Sequence, residues 1–308
     1  MTTLTELRSK ALACGALAIT AVLATTHPAA AQTAPIQSVD EKPLVTWILS
    51  DFPPFIVTDG PSLPGEGFID FTLRYLVERM PEYRHRYEVA GIARAVGLME
   101  QGAPVCHPAL LRTAEREKIA AFSGPVHFVL SHTVVARRDR FDRLSRYLND
   151  KGQVDLPRLL ADPLLATSLT EKRAFSPVID KALAEAGPSG NRPTIGVRFD
   201  SPFLQMDAGW IDYVFAYPVE PGWYRKTGRI SSDADLVYLS VAGSDDYVTG
   251  GIACTRGAWG EAVVRRIDAV VAAAGPRPPW INREKELSDP DAAQRLEQVF
   301  QRVAPFGR

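Results

Sequence analysis

Two short stretches of this sequence carry side chains suited to gripping a small molecule. In Ser50-Asp51-Phe52-Pro53-Pro54-Phe55, two aromatic rings flank a proline pair. Proline fixes φ and lacks an N–H, so this loop is stiff and extended. An exposed aromatic on such a loop is a stacking platform, for which Phe52 is the stronger candidate, and Phe55 serves equally well as core. Asp51 offers a carboxylate beside them, or a turn cap. The second stretch, 168–176, leads into a helix that opens Ser176-Pro177, an N-cap followed by proline at the first helical position. Unsatisfied N–H groups at a helix start favour an anion, and Lys172 and Arg173 add positive charge. The plain alternative is a solvated loop.

Signatures of catalysis are missing. There is no G-x-S-x-G elbow, no H-E-x-x-H and no P-loop, and Gly65-Glu66-Gly67 is too short to indicate a nucleotide. Asp51, Glu171 and Tyr217 are the acid–base candidates for a lyase-type alternative. His85, His107, His127 and His132 are scattered, and Cys106-His107 lacks a second ligand pair at zinc spacing. No cofactor or metal is expected.

The 308 residues carry a formal net charge of −1, 46% apolar residues and 23% charged residues. That balance excludes a disordered chain and argues against a nucleic-acid binder, which carries a basic excess. Residues 1–31 read as a cleavable signal peptide. Arg8 and Lys10 precede the apolar run 11–24, and Ala29-x-Ala31 suits a signal peptidase cutting before Gln32. The run is too short to span a bilayer. Export to a bacterial periplasm follows, a compartment that permits disulfides. Cys14 leaves with the signal, and Cys106 and Cys254 remain as one bridge or two buried thiols.

Strand and helix patterns then alternate. Strands are expected at 44–49, 83–89, 105–106, 128–136, 164–167, 211–217 and 251–255. Helices are expected from Phe68 to before Pro81, over 93–101, from Thr113, and over 176–186, 203–208 and 258–273. A last helix, capped by Ser288-Asp289-Pro290, runs through Val303. Such alternation predicts an α/β fold with mainly parallel sheets.

Four passages resemble the type II periplasmic binding proteins, in particular extracellular solute-binding family 3. They are the strand and aromatic–proline loop 47–55; Gly67-Phe68-Ile69-Asp70 at the first helix; the run 98–125, with Thr113-Ala114-Glu115-Arg116 and Phe122-Ser123-Gly124-Pro125; and Gly209-Trp210-Ile211-Asp212-Tyr213-Val214, followed later by Gly251-Ile252-Ala253. Arg173-Ala174-Phe175-Ser176, Ile211-Asp212-Tyr213 and Tyr217-Pro218 resemble an uncharacterised periplasmic subgroup of that superfamily. The resemblance spans residues 44–275.

It implies two lobes with mainly parallel sheets flanked by helices, joined by two crossing strands, with the ligand in the cleft. Lobe 1 would be residues 44–136 plus 248–308, and lobe 2 residues 137–247. The charged run 137–140 and the flexible run 242–246 would be the crossovers. Cys106 and Cys254 would lie on neighbouring strands and bridge. The resemblance assigns Arg116 to the ligand's carboxylate, a task that suits a planar guanidinium. Thr113 would add a hydroxyl contact and Phe52 would stack. Where amino-acid binders place an aspartate for the ligand's ammonium group, this chain has Tyr217, which cannot replace a carboxylate. A carboxylate-bearing ligand other than an ordinary α-amino acid is therefore expected. The resemblance implies a monomeric, non-enzymatic receptor with an inner-membrane ABC transporter or a sensor domain as partner. The alternatives are a partner-binding protein with a degenerate cleft and, less favoured, a lyase on the same scaffold.

Overall fold

A computed structural model of the protein describes residues 42–303 apart from positions 61, 197 and 289. The signal-peptide reading and the Asp289 cap lie outside the described residues. In chain order the strands are β1 (Leu44–Leu49), β2 (Arg84–Val89), β3 (Val105–His107), β4 (Ala120–Phe122), β5 (His127–Leu130), β6 (Thr133–Arg137), β7 (Leu169–Thr170), β8 (Thr194–Ile195), β9 (Tyr213–Ala216), β10 (Leu236–Leu239), β11 (Tyr247–Gly250) and β12 (Ala253–Thr255).

The first lobe is built on a five-stranded sheet in the order β2-β1-β3-β12-β4. β1 is parallel to β2 and β3, and β12 is antiparallel to β3 and β4. β1 is buried from Val45 to Leu49, as a central strand covered on both faces requires. Helix Phe68–Glu78 buries Phe68, Ile69, Leu73 and Leu76 on one face and stops before Pro81. Helices Ala258–Ala273, Trp280–Leu287 and Pro290–Val303 complete that core, where Trp280 donates from Nε1 to the carbonyl of Val126 at 2.8 Å.

The second lobe is built on the sheet β10-β6-β9. Its faces follow the two-residue period of a strand. Val134 and Ala136 of β6, with Tyr213 and Phe215 of β9, pack among helices Leu156–Leu160 and Pro177–Ala186. Val135, Val214 and Ala216 point the other way, among helices Ser201–Asp207 and Val219–Lys226.

Two antiparallel strands, β5 and β11, cross between the sheets. Here the structure departs from the sequence reading. The run 128–136 is two strands, broken at Ser131-His132, and its second half pairs with β9 and β10. Residues 133–136, expected in the first lobe, therefore belong to the second sheet, and the charged run 137–140 follows β6 instead of linking the lobes. Nor are the sheets mainly parallel: the first is mixed and the second is antiparallel. β6 and β12 are reached directly from the crossing strands, with no helix between, so they enter antiparallel to their neighbours. The strand expected at 164–167 lies instead at Leu169–Thr170, and Leu164 is exposed. No helix of the described residues is long and apolar enough to cross a membrane.

Cys106 on β3 and Cys254 on β12 stand directly opposite and form a disulfide, closing a chain segment that contains the whole second sheet. Cross-linking so long a loop restricts the unfolded chain. The double variant Cys106→Ser, Cys254→Ser is expected to lose about 2–5 kcal/mol of stability. Chemical denaturation of the oxidised protein and the variant measures this.

Candidate functional site

The cleft is built from the loop after β1, the segment between β3 and β4, and three segments of the second lobe. Phe52 donates its N–H to the Ile56 carbonyl at 2.9 Å, and its own carbonyl accepts from Phe55 and Ile56 at 2.8 and 3.0 Å. The prolines have no N–H to satisfy, so the turn closes on itself. Asp70 ties the turn to the first helix. Its Oδ2 accepts from the N–H of Val57 at 2.8 Å and of Gly67 at 2.9 Å. Glycine is required here, because a Cβ at Gly67 would lie 2.2 Å from the Phe55 carbonyl oxygen. Burial pushes the Asp70 carboxyl up to about 6, against those hydrogen bonds.

From this turn the Phe52 ring meets the second lobe. It stacks on Phe199 with centroids 4.0 Å apart and planes 21° apart, with Phe55 behind it at 4.4 Å. The Arg173 guanidinium lies 4.9 Å from the Phe52 ring centroid and 5.1 Å from those of Phe199 and Phe175. Arg173 is itself held by Glu220, through Nη2 to Oε1 at 2.6 Å and Nη1 to Oε2 at 3.2 Å. Glu220 is fully buried, and Oε1 also accepts from the N–H of Tyr217 at 2.8 Å. Burial pushes the Glu220 carboxyl up, and the guanidinium opposes that. The Tyr217 ring lies on His132, centroids 3.6 Å apart, and burial pushes its phenol up.

Arg116 reaches between the lobes. Nη1 donates to the Leu111 carbonyl at 2.9 Å and Nη2 to the Lys172 carbonyl, also at 2.9 Å. Lys172 has φ +57, and no other non-glycine among the described residues has positive φ. That conformation is uncommon outside glycine and clusters at ligand-holding sites. Arg116 is 8% exposed and has no ion-pair partner among the described residues. Burial lowers its pKa, with Asp180 and Tyr217 opposing.

Ser50, Phe52, His107, Arg116, Arg173, Phe199 and Tyr217 enclose an inner cavity of about 30 Å³, room for about two waters. A larger outer cavity, about 640 Å³, lies between Asp51, Pro53, Val57 and Asp59 on one side and Arg198, Asp200, Trp223 and Arg229 on the other, and it shares Phe199 with the inner one. No group of three or more His, Cys, Asp or Glu among the described residues is placed to hold a metal.

No protein-family model matches this sequence, and no curated protein matches it. Solved structures do. An ancestral arginine-binding protein bound to arginine superposes with a TM-score of 0.59 at 16% identity, over 80% of this chain and 98% of that one. A histidine kinase sensor domain with similarity to periplasmic binding proteins gives 0.58 at 16% identity, over 80% and 94%. An amino-acid ABC transporter substrate-binding protein from Streptococcus pneumoniae, bound to L-arginine, gives 0.55 at 14% identity, over 83% and 96%. The chain has the type II periplasmic binding protein fold.

Within that fold the expected site residues separate into groups. Phe52, Arg116, Arg173 and Tyr217 meet at the inner cavity. Asp51 is exposed, accepts from the N–H and Oγ1 of Thr58 at 3.1 and 3.0 Å, and lines the outer cavity. Phe55 is 4% exposed and lies in the core behind Phe52, so it does not line the inner cavity. The Thr113 hydroxyl is turned to its own helix, where Oγ1 accepts from the Arg116 N–H at 3.3 Å. Asp51 lines the outer cavity and Tyr217 the inner one, while Glu171 is exposed and lines neither. Asp212 is structural, accepting from Ala166 and pairing with Arg143. Sequence reasoning missed Phe199 and Glu220. Glu220, three residues after Tyr217 and beyond a proline, was the more detectable.

His107, His127 and His132 are buried and neutral. Burial lowers His107 to about 3 and His127 to about 4, and His132 well below the usual value. The unfolded chain protonates such groups near pH 6.5 while the native fold does not. Their contribution to stability is thus complete above pH 6.5 and is lost as pH falls towards the folded values. Between pH 6.5 and 4 the wild type should lose about 1.4 kcal/mol per pH unit relative to His127→Gln, read from denaturation midpoints. Glu220→Gln leaves a buried guanidinium without its counter-charge and should cost about 3–5 kcal/mol, measured the same way at pH 7.

Proposed function

We propose that this protein is a periplasmic solute-binding receptor that captures a small carboxylate-bearing ligand between its lobes, at Arg116, and delivers it to an inner-membrane transporter or sensor. Arg116 carries this reading. It is a buried guanidinium whose side-chain partners are two neutral carbonyls, one from each side of the cleft. A carboxylate replacing them would form shorter, charge-assisted and bidentate hydrogen bonds. Arg173 is less suited to that task, because Glu220 already neutralises it; it holds the Phe52 and Phe199 rings instead.

The inner cavity is smaller than an amino acid, so the ligand enters with the lobes apart. Separation breaks the Arg116–Lys172 bond and the Phe52–Phe199 stack, and closure on ligand restores inter-lobe contacts. The similarity to transport receptors and to a sensor domain supports this reading. The tight Phe52–Phe199–Arg173 packing favours a second reading, a partner-binding protein whose cleft is filled by its own side chains.

Native mass spectrometry of protein taken from the periplasm, before and after unfolding and refolding, separates the two. Receptor function predicts a small extra mass that disappears on refolding and is absent from Arg116→Ala. No extra mass, with no thermal shift across a panel of carboxylates and amino acids, leaves the self-filled cleft.

A further inference from the structure

We propose that the outer cavity is a second ligand site, shaped for a small zwitterion whose charged ends lie against opposite walls. Its volume, about 640 Å³, falls within the usual range for small-molecule sites. The charges on its walls are segregated. The loop after β1 contributes Asp51 and Asp59 and no cation, whereas the second lobe contributes two arginines that share one aspartate. Arg198 donates from Nε and Nη2 to Asp200 Oδ1 and Oδ2 at 3.1 and 2.8 Å, and Arg229 donates from Nε to the same Oδ2 at 3.0 Å. One positive charge is left over there, with guanidinium N–H donors to spare. Facing it, Asp59 is exposed without an ion-pair partner among the described residues, and Asp51 uses only Oδ1 on Thr58.

Aromatic surface from Phe199 and Trp223 lies among these charges. The chemistry is that of a compact molecule with an ammonium group, an aromatic or otherwise flat middle and a carboxylate, as in a short peptide. Such a ligand would bridge the two lobes without using Arg116, so the site stands or falls independently of the inner cleft.

Calorimetric titration with the dipeptide glycylphenylalanine, its N-acetyl form and its C-terminal amide tests the assignment. The zwitterion should bind, and removal of either charge should weaken it about tenfold, the value of one charge-assisted contact. Asp59→Asn should weaken the dipeptide about tenfold and leave the N-acetyl form unchanged. Arg198→Gln should weaken the dipeptide and leave the amide unchanged. The proposal is overturned if the dipeptide does not bind, if either variant leaves its affinity intact, or if a variant weakens all three compounds alike. Dipeptide binding that Arg116→Ala abolishes while both outer-wall variants retain it places the ligand in the inner cleft and also overturns the outer site.

Discussion

Two opposite charges lie buried at the back of the cleft, and most of the site is arranged around them. Arg173 and Glu220 are both nearly inaccessible to water. Withdrawing two charges from solvent costs several kcal/mol each, so the pair persists only because its geometry is good and its other valences are filled. Glu220 spends its oxygens on both guanidinium nitrogens and on the Tyr217 N–H. The guanidinium has the Phe52, Phe175 and Phe199 rings around it. The pair therefore fixes the strand end at Tyr217, the loop at Arg173 and the ring platform together. An apolar pair could fill the same space. It could not offer a cationic surface on which an aromatic ring from the other lobe settles.

That ring, Phe52, is delivered from the first lobe by an equally constrained device. The turn after β1 can hold its shape only where Gly65 and Gly67 let the chain pass close to the Val57 and Phe55 carbonyls. Asp70 then gathers the N–H groups the turn leaves over. Its carboxyl is buried, a cost accepted because the alternative is unsatisfied backbone. Position thus passes from helix Phe68–Glu78 through Asp70 to the turn and on to Phe52. Arg116 supplies the second contact across the cleft, and its partner Lys172 is the residue next to Arg173. Across the cleft the two lobes thus meet through a ring stack and a hydrogen bond to a neutral oxygen.

The disulfide adds a constraint of another kind. It lies within the first sheet, one strand on each side of the excursion into the second lobe. It joins the outgoing and returning chain within the first sheet, without tying the lobes to each other.

Much of the fold was legible in the sequence because it is written in local patterns. The β1 strand, the helices at Phe68–Glu78, Pro177–Ala186 and Ala258–Ala273, and the Ser176 and Thr113 caps all follow from side-chain periodicity and from hydrogen bonds between near neighbours. Local pattern misplaced the crossing, because 128–136 reads as one β-rich run, and the polar Ser131-His132-Thr133 inside it is as compatible with a continuous strand as with a break. At the site, the sequence supplied the residue types that meet at the inner cavity: Phe52, Arg116, Arg173 and Tyr217. It could not say which arginine keeps its charge available. Glu220 stands 47 residues from Arg173 and forms no recognisable motif with it. Only folding brings that carboxylate to Arg173 while leaving Arg116 with backbone carbonyls. Phe55 and Phe52 are likewise equivalent as letters, and the turn alone sends one ring to the core and the other to the cleft. Periodicity and capping act within a few residues along the chain. Charge compensation and ring stacking act across space, and only the tertiary structure decides them.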